Sequence, residues 1–265
     1  VIDMSHHKGA HPRIGATDVC PFVPVSNATM DECVQIARTL GKEVGGWLGI
    51  PIYLYGEAAI LPERHILPDI RKGEYEGLPE KLKDEKWRPD YGPVEFNENV
   101  RRTGATVIGA REFLIAYNVN LDTQDIQIAN KISGIVRASG VVLVNEKGEK
   151  VRVPGLLKCV QAMGVYLKEH TITQVSMNLQ NYKVTQPHVA FEEVKKQAGK
   201  FGVHVTGSEV VGLIPKEALL SAGCFYTKEL SEKQLIAAAV ERLGLSQLNK
   251  FIPEKKVIEY MLGLD

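Results

Sequence analysis

Apolar residues recur along this chain at two periods. The first helical stripe is Val34, Ala37, Leu40, Val44 and Leu48, at steps of three and four. Ahead of it, Thr29-Met30-Asp31-Glu32 fits a capping box, with Thr29 as N-cap and Glu32 reaching back. Gly45-Gly46 is expected to weaken the end of this helix. Before the stripe, Asp18 to Val25 alternates weakly and holds Pro21 and Pro24. Proline cannot donate to a ladder, so this segment reads as an edge strand or extended loop. After the stripe, Pro51 to Tyr55 reads as a short buried strand closed by Gly56. Residues 57–90 are polar and carry Pro62, Pro68, Pro79 and Pro89, which predicts short helices and loops. Residues 91–105 read as one long loop between Gly92 and Gly104, with Val94, Phe96 and Val100 as its few apolar anchors. A loop of that length is usually functional or disordered.

From Arg111 the period changes. Phe113, Ile115, Tyr117, Val119 and Leu121 alternate with Leu114, Ala116, Asn118 and Asn120, a strand with one apolar face. A helix is expected from Thr123, with Ile128, Ile132, Ile135 and Val136 on one side, ending near Gly140; Lys147-Gly148 reads as a turn. Two strands are expected at 157–167 and 171–182, the second alternating Val175, Met177 and Leu179 against Gln174, Ser176, Asn178 and Gln180. Pro187 suits the first turn of a helix with Phe191, Val194 and Ala198 on its apolar side. His204 to Val211 is a further strand, and Pro215 begins a short helix. Ser231 to Gln234 is a second capping box, with Gly244 as the C-cap of its helix, and Pro253 to Leu262 reads as one last helix. The order is mixed, and the neighbouring strands at 157–182 look antiparallel, so the pattern argues α+β rather than a doubly wound parallel sheet. The composition shift near residues 104–113 divides the chain into subdomains 1–113 and 114–265.

Composition narrows the function classes. The 265 residues hold 32 Lys+Arg against 32 Asp+Glu, a net charge of zero, which removes the basic footprint of a nucleic-acid binder. No apolar run is long enough to cross a bilayer, and no signal-peptide pattern is seen at the start. Cys20, Cys33, Cys159 and Cys224 are scattered without CxxC spacing, as expected of reduced thiols in a cytoplasmic protein. There is no GxGxxG or P-loop to support nucleotide binding of those kinds.

The densest chemistry is His6-His7-Lys8-Gly9-Ala10-His11-Pro12-Arg13-Ile14-Gly15, followed by Asp18. Three of the seven histidines fall within six residues, beside two cations. Such a loop has three readings. It could be a solvated basic loop. It could bind zinc through three imidazoles, although no HExxH or cysteine pair accompanies them. It could be an acid–base site for an anionic substrate, with histidine as proton carrier and cations holding carboxylates.

The run from Asp3 to Val25 closely resembles the formiminotransferase domain of formiminotransferase-cyclodeaminase and its single-domain microbial relatives. So do Tyr53 to Ala59, Arg71 to Pro79, Pro89 to Pro93, Gly109 to Leu121, Gln174 to Leu179 and Gly207 to Pro215, so the resemblance covers essentially the whole chain. It implies an α/β sandwich of two subdomains, each a mixed sheet covered by helices, with the sheets facing each other across a folate tunnel, and a homodimer. It implies that His11, in the family's His-Pro-Arg-(Met/Ile)-Gly motif, is the general base. It places a folate-contacting loop at Gly92 to Gly104, with Gly92, Pro93, Val94, Glu95, Phe96, Asn97 and Gly104 as folate contacts. Asn99 to Arg102 look like an insertion relative to the animal enzymes. It also implies that the cyclodeaminase domain, and family strands normally preceding this start, lie outside this sequence.

The activity so implied is transfer of a formimino group from formiminoglutamate to N5 of tetrahydrofolate as co-substrate, without a metal. The alternatives are formyl transfer at the same site, a non-catalytic folate-binding protein, and a metal-dependent hydrolase using the histidines. One imidazole of ordinary pKa about 6.5 could take the proton from the attacking amine and return it to the leaving one. Both substrates carry glutamate carboxylates, for which Lys8, Arg13 and Arg111 are candidate clamps, with Arg101 and Arg102 in the loop. That loop is expected to order when folate binds.

Overall fold

A computed structural model describes residues 2–8, 12–228 and 231–264, which fall into two compact units, 1–112 and 113–265. The first unit opens with a 3₁₀ turn at Met4–His6 and the strand β1 (Val19–Phe22). Helix α1 (Met30–Leu48) follows, then β2 (Ile52–Gly56), short helices α2 (Leu67–Ile70), α3 (Leu78–Lys81) and α4 (Glu98–Thr103), and β3 (Thr106–Ala110). The strands lie in the order β1-β3-β2 and all pair parallel, with β1 at the edge as its proline predicts. On one face, α1 buries Val34 and Ala37 against Ile52, Leu54 and Ile108. On the other, Tyr53, Tyr55 and Val107 pack with Ile14, Tyr75, Leu78 and Val100.

The Thr29–Glu32 capping box is present in full. The end of α1 falls at Leu48, the last residue of the apolar stripe. The helix runs through Gly45-Gly46 and stops at Gly49 in the left-handed conformation. Gly45 is small because the next segment lies on it: a Cβ there would sit 2.8 Å from both Gly92 N and Tyr91 Cβ. Arg64, 2% exposed, pairs with Asp90 at 2.9 Å and donates to the carbonyls of Lys86 and Arg88. Asp90 also accepts from Leu54 N–H, so this buried pair fixes the polar 57–90 excursion to β2.

The second unit is built on one antiparallel sheet. Its elements are β4 (Ile115–Leu121), α5 (Ile126–Val136), β5 (Val141–Val144), β6 (Lys150–Val153), β7 (Val160–Leu167) and β8 (Ile172–Leu179). Then come α6 (Pro187–Lys200), β9 (Val205–Val211), α7 (Lys216–Tyr226), α8 (Glu232–Arg242), α9 (Pro253–Lys256) and α10 (Ile258–Leu262). The sheet order is β7-β8-β4-β9, with every pair antiparallel. Ile115, Tyr117, Val119, Val175, Met177 and Leu179 share one face and meet Ile132, Phe191 and Val194 from the helices. Burial of each such side chain contributes about 1.5–3 kcal/mol. Phe113 packs against this core. Parallel pairing in one unit and antiparallel pairing in the other make the chain α+β, as expected.

One further reading of this unit is borne out and extended, and one is corrected. The expected turn at Lys147-Gly148 lies in a hairpin, β5–β6, that the sequence pattern did not announce, since apolar residues there do not alternate with burial. The expected final helix is two. Val257 is extended and fully buried between α9 and α10, and its segment bonds to Ile214 on both sides, Ile214 N–H to Lys256 O and Ile258 N–H to Ile214 O. Among the described residues, no helix is long and apolar enough to cross a membrane.

Candidate active site

His11, with Gly9 and Ala10, lies outside the described residues. The structure shows what holds the loop on either side of it. On the near side, Met4 is buried and Asp3 caps the 3₁₀ turn by accepting from Ser5 N–H. The Ser5 hydroxyl, with Arg101 beyond it, holds the Asp3 carboxyl below the usual carboxylate range. His6, His7 and Lys8 are exposed.

On the far side, Arg13 pairs with Glu74 at 3.0 Å and Glu76 at 2.7 Å, and donates to the His7 carbonyl at 3.1 Å. The Arg13 hydrogen bonds keep the Glu76 carboxyl low. A shallow recess of about 500 Å³ is lined by Lys8, Arg13, Gly73, Glu74 and Glu76. Ile14 is fully buried, and its N–H donates to Asp18 Oδ1 at 2.8 Å. Asp18 Oδ2 is paired with Arg71. Gly15 forms an antiparallel bridge to Gly104, which joins the histidine segment to the end of the candidate folate loop.

That loop is not an unstructured excursion, which corrects the sequence reading of 91–105. Asn97 caps α4 by accepting from Val100 N–H at 3.0 Å, and Val100 is fully buried. Asn99 donates to the carbonyls of Leu48 and Gly49 at the end of α1. Arg101 is bound to Glu98, Asp3 and Ser5, and its carbonyl accepts from the Tyr75 hydroxyl. Its guanidinium is already engaged. Gly92 (φ +83°) rests on the Ile50 carbonyl. Val94, Glu95 and Asn97 are exposed, Pro93 is half-buried, and Phe96 tilts against the Tyr75 ring at 6.2 Å.

Arg111 follows β3 directly. It donates to the Glu112 carbonyl at 2.9 Å. Burial pushes the Tyr55 hydroxyl pKa up, while Arg111 and Arg71 pull it back. Tyr55 and Arg71 were not singled out by the sequence reading, which named Asp18 beside the histidine run without giving it a role. Their contacts are long-range, Asp18 to Arg71 spanning 53 positions, so no local pattern marks them.

The second unit adds a polar face that the alternation had exposed without its being recognised as a site. Opposite the apolar face of the sheet, Asn118 stands between Ser176 and Glu209 in register, and Asn120 stands beside Gln174. Asn120 and Gln174 are buried, and Gln174 Nε2 donates to Asn120 Oδ1 at 2.7 Å. Asn120 in turn donates to Gln247. Among the described residues, no three His, Cys, Asp or Glu side chains gather as metal ligands.

Comparison with known proteins agrees with this layout. Residues 1–111 match the formiminotransferase domain, N-terminal subdomain, and residues 116–263 match the formiminotransferase domain. A glutamate formimidoyltransferase of Streptococcus pyogenes serotype M1 is 45% identical over 85% of this chain and 70% of its own. The Thermoplasma acidophilum protein of the same name is 45% identical over 85% and 69%. The formimidoyltransferase-cyclodeaminase of Gallus gallus is 48% identical over 99% of this chain and 47% of its own. The chain thus spans about half the length of the formimidoyltransferase-cyclodeaminases it matches. With both subdomain descriptions matched along nearly its whole length, the chain belongs to the formiminotransferase domain family.

Proposed function

We propose that this chain is a glutamate formiminotransferase that carries the formimino group of N-formimino-L-glutamate to N5 of tetrahydrofolate, with His11 as general base and acid. The observation that carries the reading is 45% identity to proteins named glutamate formimidoyltransferase over 85% of the chain. In the proposed reaction, N5 of tetrahydrofolate attacks the formimino carbon and forms a C–N bond. His11 takes the N5 proton, a tetrahedral intermediate forms, and the bond from carbon to the glutamate nitrogen breaks. His11 returns the proton to that nitrogen as glutamate leaves. One imidazole balances both transfers, and holding two substrates together supplies much of the remaining acceleration.

Within this reading, Gly92 through Asn97 and Gly104 form the folate contacts, and Lys8, Arg13 and Arg111 hold substrate carboxylates. Arg111 supports its role best, standing with Arg71 beside the Tyr55 hydroxyl. Arg13 would have to exchange Glu74 or Glu76 for a substrate carboxylate. The reading also includes the functional division at 113/114, a cytoplasmic homodimer, and activity without a metal. The test is an assay with N-formiminoglutamate and N-formylglutamate side by side, tetrahydrofolate as acceptor, before and after dialysis against a strong chelator. Preference for the formimino donor, unchanged by chelation, is expected. Preference for the formyl donor would make the chain a formyltransferase. Loss restored by zinc would favour the metal-dependent alternative.

A further inference from the structure

On the polar face of the second sheet, the amides come as a row with one carboxylate in it. Glu209 on β9 lies in register with Asn118 on β4, which lies in register with Ser176 on β8. Glu209 is half-buried. Among the described residues its carboxylate has no salt bridge, and the hydrogen bond it receives is a long one, 3.5 Å from Gln174 Nε2. A half-buried carboxylate without a cation is unfavourable unless something supplies donors to it.

The surroundings hold that carboxylate in place. Gln174 is 1% exposed and Asn120 fully buried, and they are linked to Gln247 in a chain of amides. The backbone beneath is equally fixed: a Cβ on Gly207 would sit 2.7 Å from the Gln247 Cβ and 2.8 Å from the Gly244 carbonyl. Beside Glu209 opens a recess of about 460 Å³, with Tyr166, Leu167 and Leu248 as its apolar part, Asn249 as a further amide, and Lys168, Glu169 and His170 at its charged side. A recess of this size is enough for a flat heterocycle with a polar edge toward Glu209.

The chemistry narrows the ligand. A carboxylate pairs best with two parallel N–H donors on one edge. The reduced pterin of tetrahydrofolate carries that edge, its 2-amino group and N3–H. We infer that Glu209 is the residue that recognises the 2-amino-4-oxopyrimidine edge of the folate, with Gln174 and Asn120 as positioning residues behind it. This rests on the folate reading above and needs only residues of the second unit.

Binding of three probes to the full chain and to its Glu209→Gln variant tests the inference. The probes are tetrahydrofolate, 6-methyltetrahydropterin, which lacks the glutamate tail, and p-aminobenzoylglutamate, which lacks the pterin. Losing a charge-assisted pair should weaken the first two by about ten- to a hundredfold and leave the third unchanged. Equal binding of all three to both proteins would overturn the inference and spare the folate reading. Failure of the wild-type chain to bind any of the three would overturn both. A 2-desamino-2-methyl analogue of the methyltetrahydropterin closes a cycle that does not depend on the variant's stability. The wild type should lose about as much affinity for it as the variant loses for the parent, and the variant should lose little more. Equal further loss in both proteins would contradict the pairing.

Discussion

Gly15 and Gly104 meet across an isolated antiparallel bridge, and neither position has room for a side chain. A Cβ on Gly15 would lie 2.0 Å from the Ala105 carbonyl oxygen, and one on Gly104 would lie 2.3 Å from that of Ile14. Gly104 also has φ +68°, which favours glycine. This contact joins the segment after His11 to the end of the candidate folate loop. Gly104→Ala is expected to destabilise the protein by about 2 kcal/mol or more, measured by urea unfolding. A change within a few tenths would show that the bridge does not constrain these segments.

Asp18 closes the turn after the histidine segment through Ile14 N–H and Arg71. Asp18→Asn tolerates the same left-handed backbone and removes the charge together with one of the two acceptor oxygens. A loss of about 1.5–3 kcal/mol is expected, because the pair is largely buried. Unfolding that coincides with wild type would mean that Arg71 finds another partner.

Asn97 caps α4, so the loop is expected to be held before any folate arrives. Asn97→Ala should lower stability by about 1 kcal/mol. It should also expose Arg101 and Arg102 to trypsin, which is expected to cut the wild-type chain there slowly with or without folate. Rapid cleavage of the wild type without folate would contradict an already ordered helix.

His188 sits on α6, 6% exposed, stacked on Phe225 with ring centroids 4.7 Å apart. Burial lowers its pKa, with Glu192 opposing. The sign follows: on acidification the unfolded chain takes up this proton first, near pH 6.5, so stability falls as pH drops through that value. His188→Phe should flatten the stability profile between pH 7 and 5. An unchanged slope would assign the acid sensitivity elsewhere.

Local signals made much of the fold legible. Thr29 and Glu32 sit three apart, Pro187 opens α6, and Val175, Met177 and Leu179 alternate with Gln174, Ser176 and Asn178, each pattern lying within one element. What was missed depends on distant partners. β3 is a five-residue strand containing Gly109 and Ala110, with no alternation because both faces are buried. α4 has six residues and owes its place to Asn97, Asn99 and Val100. Val257 is extended because Ile214 lies beside it. In the site, the histidine motif was visible as a cluster of residue types. Arg71, Tyr55 and Glu209 were not, because each is an ordinary residue until the strands bring its neighbours together.

The account turns on formimino transfer at His11. The most direct test follows the labelled carbon of ¹³C-formiminoglutamate by NMR, with tetrahydrofolate, in the wild-type chain and in His11→Ala. The wild type should move the label to N5 of the folate with release of one glutamate. The variant should fold and bind folate normally yet turn over roughly 10²–10⁴-fold more slowly. Transfer by a well-folded His11→Ala at the wild-type rate, or no transfer by a wild-type chain that binds both substrates, would contradict it.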